Sequence, residues 1–201
     1  MKKHDYLDTS LWYKEKIKDP FQVIAEAFSF AEISFYRKLI TRVLHAASSE
    51  KVYSKCSPSN LLFEMKMLES VINAAYLIYK ERRKSPLLIS SADLQNRNLY
   101  YTGRPGTEYD DMPKSLSQKE FMNPYLVFKR SFKRLPLDKL KGQIEEIVEY
   151  SLSAHAYDDI EIDCLSLYLQ LNKIVEAAHL IDVREIIHVD GHLKNRLKTT
   201  Y

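Results

Sequence analysis

Apolar residues recur along this chain at intervals of three and four, the spacing that gathers them on one face of an α-helix. Phe21, Ile24 and Phe28 follow it, as do Tyr125, Phe128 and Phe132. In the longest such stretch Leu61, Met65, Leu68, Ile72, Ala75 and Tyr79 form one row, with Val71, Ala74 and Ile78 beside it. Cys164, Tyr168, Leu171, Val175 and Ala178 form a second long row, flanked by Ile174, Ala177 and Ile181. Two adjacent rows make a wide apolar stripe, which predicts that both long helices are buried on more than one side.

The two long stretches also match each other. VINAAYLIY begins at Val71 and IVEAAHLID at Ile174. Upstream, DPFQVIAEAF from Asp19 matches NPYLVFKRSF from Asn123, pairing Pro20 with Pro124, Phe21 with Tyr125, Ile24 with Phe128 and Phe28 with Phe132. The offset is 104 in the first blocks and 103 in the long helices, a gap of a single residue. Each copy reads as three helices. Asp19-Pro20 and Asn123-Pro124 are each a capping residue followed by proline at the first helical position, where a missing N–H costs nothing. Ser34 and Asp138 are placed to cap the second helices. Ser57-Pro58 opens the third helix of the first copy. In the second copy the third helix is expected near Asp158, with Glu161 completing a capping box.

This pattern predicts an all-α fold: two tandem three-helix units related by the internal repeat, packed as one bundle with pseudo-twofold symmetry. The paired alanines, Ala74-Ala75 and Ala177-Ala178, are expected at the crossing of the long helices. Residues 1–18 hold Leu7, Leu11 and Trp12 at helical spacing and read as an extra helix. Unit 1 spans 19–84, a connector 85–122, unit 2 123–190 and a basic tail 191–201. The connector carries three of the seven prolines and two of the four glycines. Short helices are expected in it near Ser91–Asn98 and Ser115–Met122, and Tyr100, Tyr101 and Tyr109 are suited to pin it onto the body.

Composition narrows the picture. Four glycines in 201 residues disfavour the glycine-dependent turns of β-rich folds. A net charge of +3 is mild beside the concentrated basic surface of a dedicated nucleic-acid binder. Cys56 and Cys164 make no disulfide framework and read as reduced thiols. The N-terminus lacks a signal-peptide apolar core, and no apolar run approaches the roughly 20 residues of a membrane span. A soluble, cytoplasmic protein is the expectation.

No stretch spells a specific catalytic signature. Glu176-x-x-His179 and Glu185-x-x-His188 each place two metal-ligand residue types on one helical face. They are nine residues apart, two and a half turns, so they face opposite sides of one helix and cannot share an ion. Glu176 is expected to be solvated and His179 half-buried. On that reading Ala177→Leu, which overpacks a close helix contact, costs more than Glu176→Ala. His188, Asp190 and His192 read as a polar cluster ending the last helix, with Gly191 as its stop. Arg184 and His188 resemble the Arg and His of HEPN-class helical ribonucleases in residue type, but the three-residue gap is shorter than in that class. TGRPGTE, Thr102 to Glu108, fits no nucleotide-binding fingerprint. No catalytic, cofactor or metal-ligating residue is assigned.

KRSFKR gathers Lys129, Arg130, Lys133 and Arg134 opposite the apolar row, a face that could neutralise phosphates or simply be solvated, with Glu145, Glu146 and Glu149 on the next helix as its expected neutralisers. The blocks DPFQVI and EAAHLI resemble small all-helical proteins of Bacteroidetes that carry no assigned function. That resemblance implies a bacterial origin and an all-helical fold, and it transfers no functional residue. The expected function is a non-enzymatic protein-interaction module. The alternatives are a nucleic-acid-binding regulator using Lys129, Arg130, Lys133 and Arg134, and a HEPN-like ribonuclease using Arg184 and His188. The expected partners are another protein, a nucleic acid in the alternative reading, or a second copy of the chain, and no membrane.

Overall fold

Asp19 opens the first helix as its sequence predicts: Asp19 Oδ1 accepts the Phe21 N–H at 2.9 Å, and Pro20 takes the first helical position. The structure, a computed structural model, describes residues 19–49, 52–81, 89, 93, 94, 96–153, 162–189, 192 and 193. Among them helix α1 is Pro20–Phe30, α2 Ile33–Ala47 and α3 Pro58–Glu81. A 3-10 turn, Arg97–Leu99, and two short helices, α4 (Glu108–Asp111) and α5 (Gln118–Met122), follow in the connector. Then come α6 (Tyr125–Arg134), α7 (Leu137–Leu152) and α8 (Cys164–Glu185). Two strands of two residues each, β1 (His188–Val189) and β2 (His192–Leu193), close the described chain. Otherwise the fold is all-helical. No helix among the described residues is long and apolar enough to cross a membrane.

Several expected boundaries move, each for a local reason. Glu32 is extended, so α2 starts at Ile33 and Ser34 falls inside its first turn instead of capping it. Pro136 is likewise the non-helical residue before α7, which leaves Asp138 within the first turn. Asn123 does not cap α6 with its side chain. Its N–H donates to the Lys119 carbonyl at 3.0 Å and ends α5, so α6 begins two residues later with Pro124 at the boundary. Ser57 does sit at the head of α3, accepting the Asn60 N–H at 3.3 Å. Helix α8 is capped by Asp163, whose side chain accepts the Ser166 N–H at 2.9 Å. Asp158 and Glu161, the expected start, lie outside the described residues, as do the expected helix in 1–18 and most of the tail.

The last helix ends at Glu185, not at Gly191. Ile186 is extended, and Val189 pairs with His192 in an antiparallel ladder. The reason is in the sequence: Ile186, Ile187 and Val189 are β-branched, which favours extended backbone; Asp190 and Gly191 lie outside the described residues.

Helices α1, α2, α3, α6, α7 and α8 share one apolar cluster, so both halves of the chain feed a single core. Helix α1 packs on α3 and α8, α2 on α7 and α8, and α3 on α6, α7 and α8; α6 also packs on α8. Helix α8 therefore lies against α1, α2, α3 and α6, and against α5 as well. Ala74, Ala75, Ala177 and Ala178 are all fully buried. Cys56 and Cys164 are half-buried and unbonded to each other.

Candidate functional site

The connector has a polar core of its own. Asp111 is 1% exposed, and its Oδ2 accepts the Thr102 N–H at 2.9 Å and the Thr102 and Thr107 hydroxyls at 2.6 and 3.0 Å. Gly103 and Gly106 turn the chain at φ of 86° and 84°, a region that side chains other than glycine's resist.

Helix α8 holds this loop against the body with three polar side chains. Glu176 is fully buried, which corrects the expectation of a solvated residue. Its Oε1 accepts Arg37 Nε and Nη2 at 3.0 and 2.8 Å and the Lys114 N–H at 2.9 Å; its Oε2 accepts the Ser115 N–H at 2.8 Å. Arg37 in turn donates to the carbonyls of Asp110 and, at 2.8 Å, Met112. A carboxylate without partners in such a place would be too costly to bury; four donors, two of them on one guanidinium, make it tolerable.

One turn on, His179 is 1% exposed, not half-buried. Its Nε2 lies 3.0 Å from the Tyr100 carbonyl, and its ring meets Phe28 edge-on at 5.2 Å. A carbonyl only accepts, so the contact places a proton on Nε2. Arg184 Nε donates to the Leu99 carbonyl at 2.7 Å and Nη1 to the Phe121 carbonyl at 2.6 Å, with the guanidinium 4.5 Å from the Phe121 ring centre. Burial lowers the Arg184 pKa to about 10, against an opposing pull from Glu185.

These contacts decide what the residues can do. A metal ion at Glu176 would have to displace Arg37 and two backbone amides. No group of three or more His, Cys, Asp and Glu is placed to hold a metal among the described residues. Glu185 accepts the Tyr125 hydroxyl at 2.5 Å and is the last residue of α8, so Glu185 and His188 do not share a helical face. His188 is exposed on β1, and its backbone carbonyl accepts Gln22 Nε2 at 3.2 Å. His188 and His192 stand on paired strands, not on a helix. Arg184 bonds to the connector carbonyls of Leu99 and Phe121, while His188 is exposed on β1.

The four basic residues of α6 divide into two rows. All are exposed. Arg130 donates to Glu120 Oε1 at 2.9 Å and Arg134 to Ser166 Oγ at 3.2 Å; both line a cleft between α6 and α8 with Lys173, Gln170, Val127 and Leu169. Lys129 and Lys133 lie one position earlier in each turn and line no part of it. Among the described residues Arg130 of α6 pairs with Glu120 of α5, a carboxylate other than the expected Glu145, Glu146 and Glu149 of α7. Glu120 also accepts Lys173 Nζ at 2.9 Å and closes a capping box with Ser117. Burial would raise its pKa, but the bonds from Lys173, the Ser117 N–H and O–H, and Arg130 outweigh it and hold the group at about 2.

Sequence reasoning missed Arg37, Glu120, Lys173 and the backbone donors at Lys114 and Ser115. The capping-box spelling Ser117-x-x-Glu120 could have flagged Glu120. Arg37 and Lys173 carry no local signal, because their partners lie 139 and 53 residues away. No family model, curated protein or solved structure matches the chain.

Proposed function

We propose that the protein is a non-enzymatic interaction module that presents its connector to a protein partner. The observation that carries this reading is the contrast within the connector. Its backbone is held by Glu176, His179, Arg184 and Arg37, while Tyr109 and Met112 are 87% and 51% exposed. Bulky apolar side chains displayed on a backbone fixed from beneath are suited to recognition, since little order is lost on binding. Glu176, His179 and Arg184 are engaged in fixing that backbone.

We also propose that the two units are related by a pseudo-twofold axis. Two observations support it. Exchanging α1, α2 and α3 for α6, α7 and α8 maps the packed pairs onto one another: α1–α8 onto α6–α3, and α2–α8 onto α7–α3. The repeat pairs Phe28 with Phe132 and Tyr76 with His179. Tyr76 meets Phe132 edge-on at 5.2 Å, and His179 meets Phe28 edge-on at the same distance.

A nucleic-acid reading keeps the support of four exposed cations on α6. Gel shifts at low and moderate salt test it: no binding tighter than the non-specific range, roughly 10⁻⁴–10⁻⁶ M at physiological salt, is expected. The interaction reading is tested by affinity capture from the native host's cells with the wild type and a Tyr109→Ala, Met112→Ser double variant. A partner captured in stoichiometric amount and lost in the double variant, at unchanged melting temperature, is the expected result. Equal capture by both proteins would overturn the connector as the binding surface.

A further inference from the structure

We propose that the cleft between α6 and α8 binds a phosphomonoester carried on a protein partner, seating the phosphoryl group among Arg130, Arg134 and Lys173. The cleft measures about 290 Å³, room for one phosphorylated side chain rather than a length of nucleic-acid strand. Arg130 and Arg134 enter it from successive turns of α6, and Lys173 faces them from α8. Ser166 and Gln170 add a hydroxyl and an amide to the lining. Val127 and Leu169 supply an apolar wall, with Leu169 43% and the preceding-turn Leu165 68% exposed. That lip suits an apolar residue beside the phosphorylated one.

The cleft already holds an anion of its own. Glu120 takes one bond from Arg130 and one from Lys173, both at 2.9 Å. It is 3% exposed, so it orients both cations from below without blocking the mouth. An arginine has five N–H donors and a lysine three, which leaves donors for a second anion. Three cations against this single carboxylate leave two positive charges in the lining. A phosphomonoester, at about −1.5 to −2 near pH 7, matches that excess better than a peptide carboxylate does. Asp163 lies at the outer edge near Arg134, where the Ser166 N–H and O–H engage it. A polyphosphate strand fits less well, because Lys129 and Lys133 do not prolong the cleft.

The inference takes the protein nature of the carrier from the interaction reading, but it concerns a different surface from the connector. The test is fluorescence anisotropy with a labelled phosphoserine peptide flanked by leucine, its unphosphorylated twin and a single-stranded oligonucleotide, with inorganic phosphate as competitor. The proteins are the wild type, Arg134→Gln and Lys133→Gln, each checked by thermal melting. The phosphopeptide is expected to bind and to be displaced by phosphate. Loss of one charge-assisted contact should weaken it about tenfold in Arg134→Gln, and loss of the phosphoryl group by at least as much in the twin. Lys133→Gln should bind like the wild type. No phosphopeptide binding, no displacement by phosphate, equal weakening in the two variants, or tighter binding of the oligonucleotide would each overturn the proposal. Phosphopeptide binding that survives in the Tyr109→Ala, Met112→Ser protein, while that pair of changes leaves partner capture untouched, would count against the connector reading and for this one.

Discussion

Helices α3 and α8 carry the same apolar rows and bury the same paired alanines, yet their polar residues lead different lives. Where α3 has Asn73 and Tyr76, α8 has Glu176 and His179. The ring at the second position is present in both: Tyr76 packs edge-on against Phe132 and His179 against Phe28. The first position differs in kind. Glu176 has four hydrogen bonds from Arg37 and the connector. Asn73 is 3% exposed, and its Oδ1 has no partner among the described residues. A neutral amide can tolerate that shortfall; an ionised carboxylate could not. The comparison teaches that a charge can enter the middle of a buried helix only where another segment delivers donors to it. Here that segment is the connector, which is why the polar stripe of α8 has no twin on α3.

The largest expected effect separates these two positions directly. Glu176→Ala strands Arg37 and two backbone amides and should cost about 3–5 kcal/mol in urea denaturation. Asn73→Ala removes an amide whose oxygen is already unpaired and should stay within about 1 kcal/mol. Equal losses would break the comparison. Ala177→Leu, at roughly 1–3 kcal/mol for overpacking, now ranks below Glu176→Ala, the reverse of what a solvated Glu176 implied.

The next effect is on the connector. Arg184→Met keeps the stem packed on Phe121 but removes donors from the Leu99 and Phe121 carbonyls. A loss of roughly 1–3 kcal/mol is expected, accompanied by faster amide exchange in residues 97–122 and little change in α3. Exchange that accelerates uniformly along the chain would show that Arg184 supports the core as a whole.

The smallest effect is a pH dependence. The folded-state pKa of Glu120 is about 2, below its ordinary value of 4.5. The unfolded chain therefore binds the proton first as pH falls, so this stabilisation is complete above about pH 5 and is lost as pH drops toward 2. Glu120→Gln should flatten the stability profile across that window by on the order of 1–2 kcal/mol, with screening at the cleft mouth allowed for. A slope unchanged by the substitution would show that the carboxylate gains nothing from Arg130 and Lys173.

The helical periods of α1, α3, α6 and α8 are legible because each rests on local spacing, and burial of the alanine pairs follows from the width of the apolar stripe. Asp19 and Ser57 are likewise readable as caps, since the partner lies within the next turn. The end of α8 was misread because a Glu-x-x-His spelling is helical only if the helix continues, and the β-branched Ile186, Ile187 and Val189 favour extended backbone instead.

The roles of Glu176, Arg37, Glu120 and Lys173 were not legible, for one physical reason. Apolar burial is set by pattern along the chain, so the sequence by itself determined the helices, their inward faces and the single core they share. A buried charge is set by which donors reach it through space. Only the tertiary structure, by laying residues 97–122 along α8 and turning Arg130, Arg134 and Lys173 toward one cleft, decided which charged residues clamp the fold and which line an open surface.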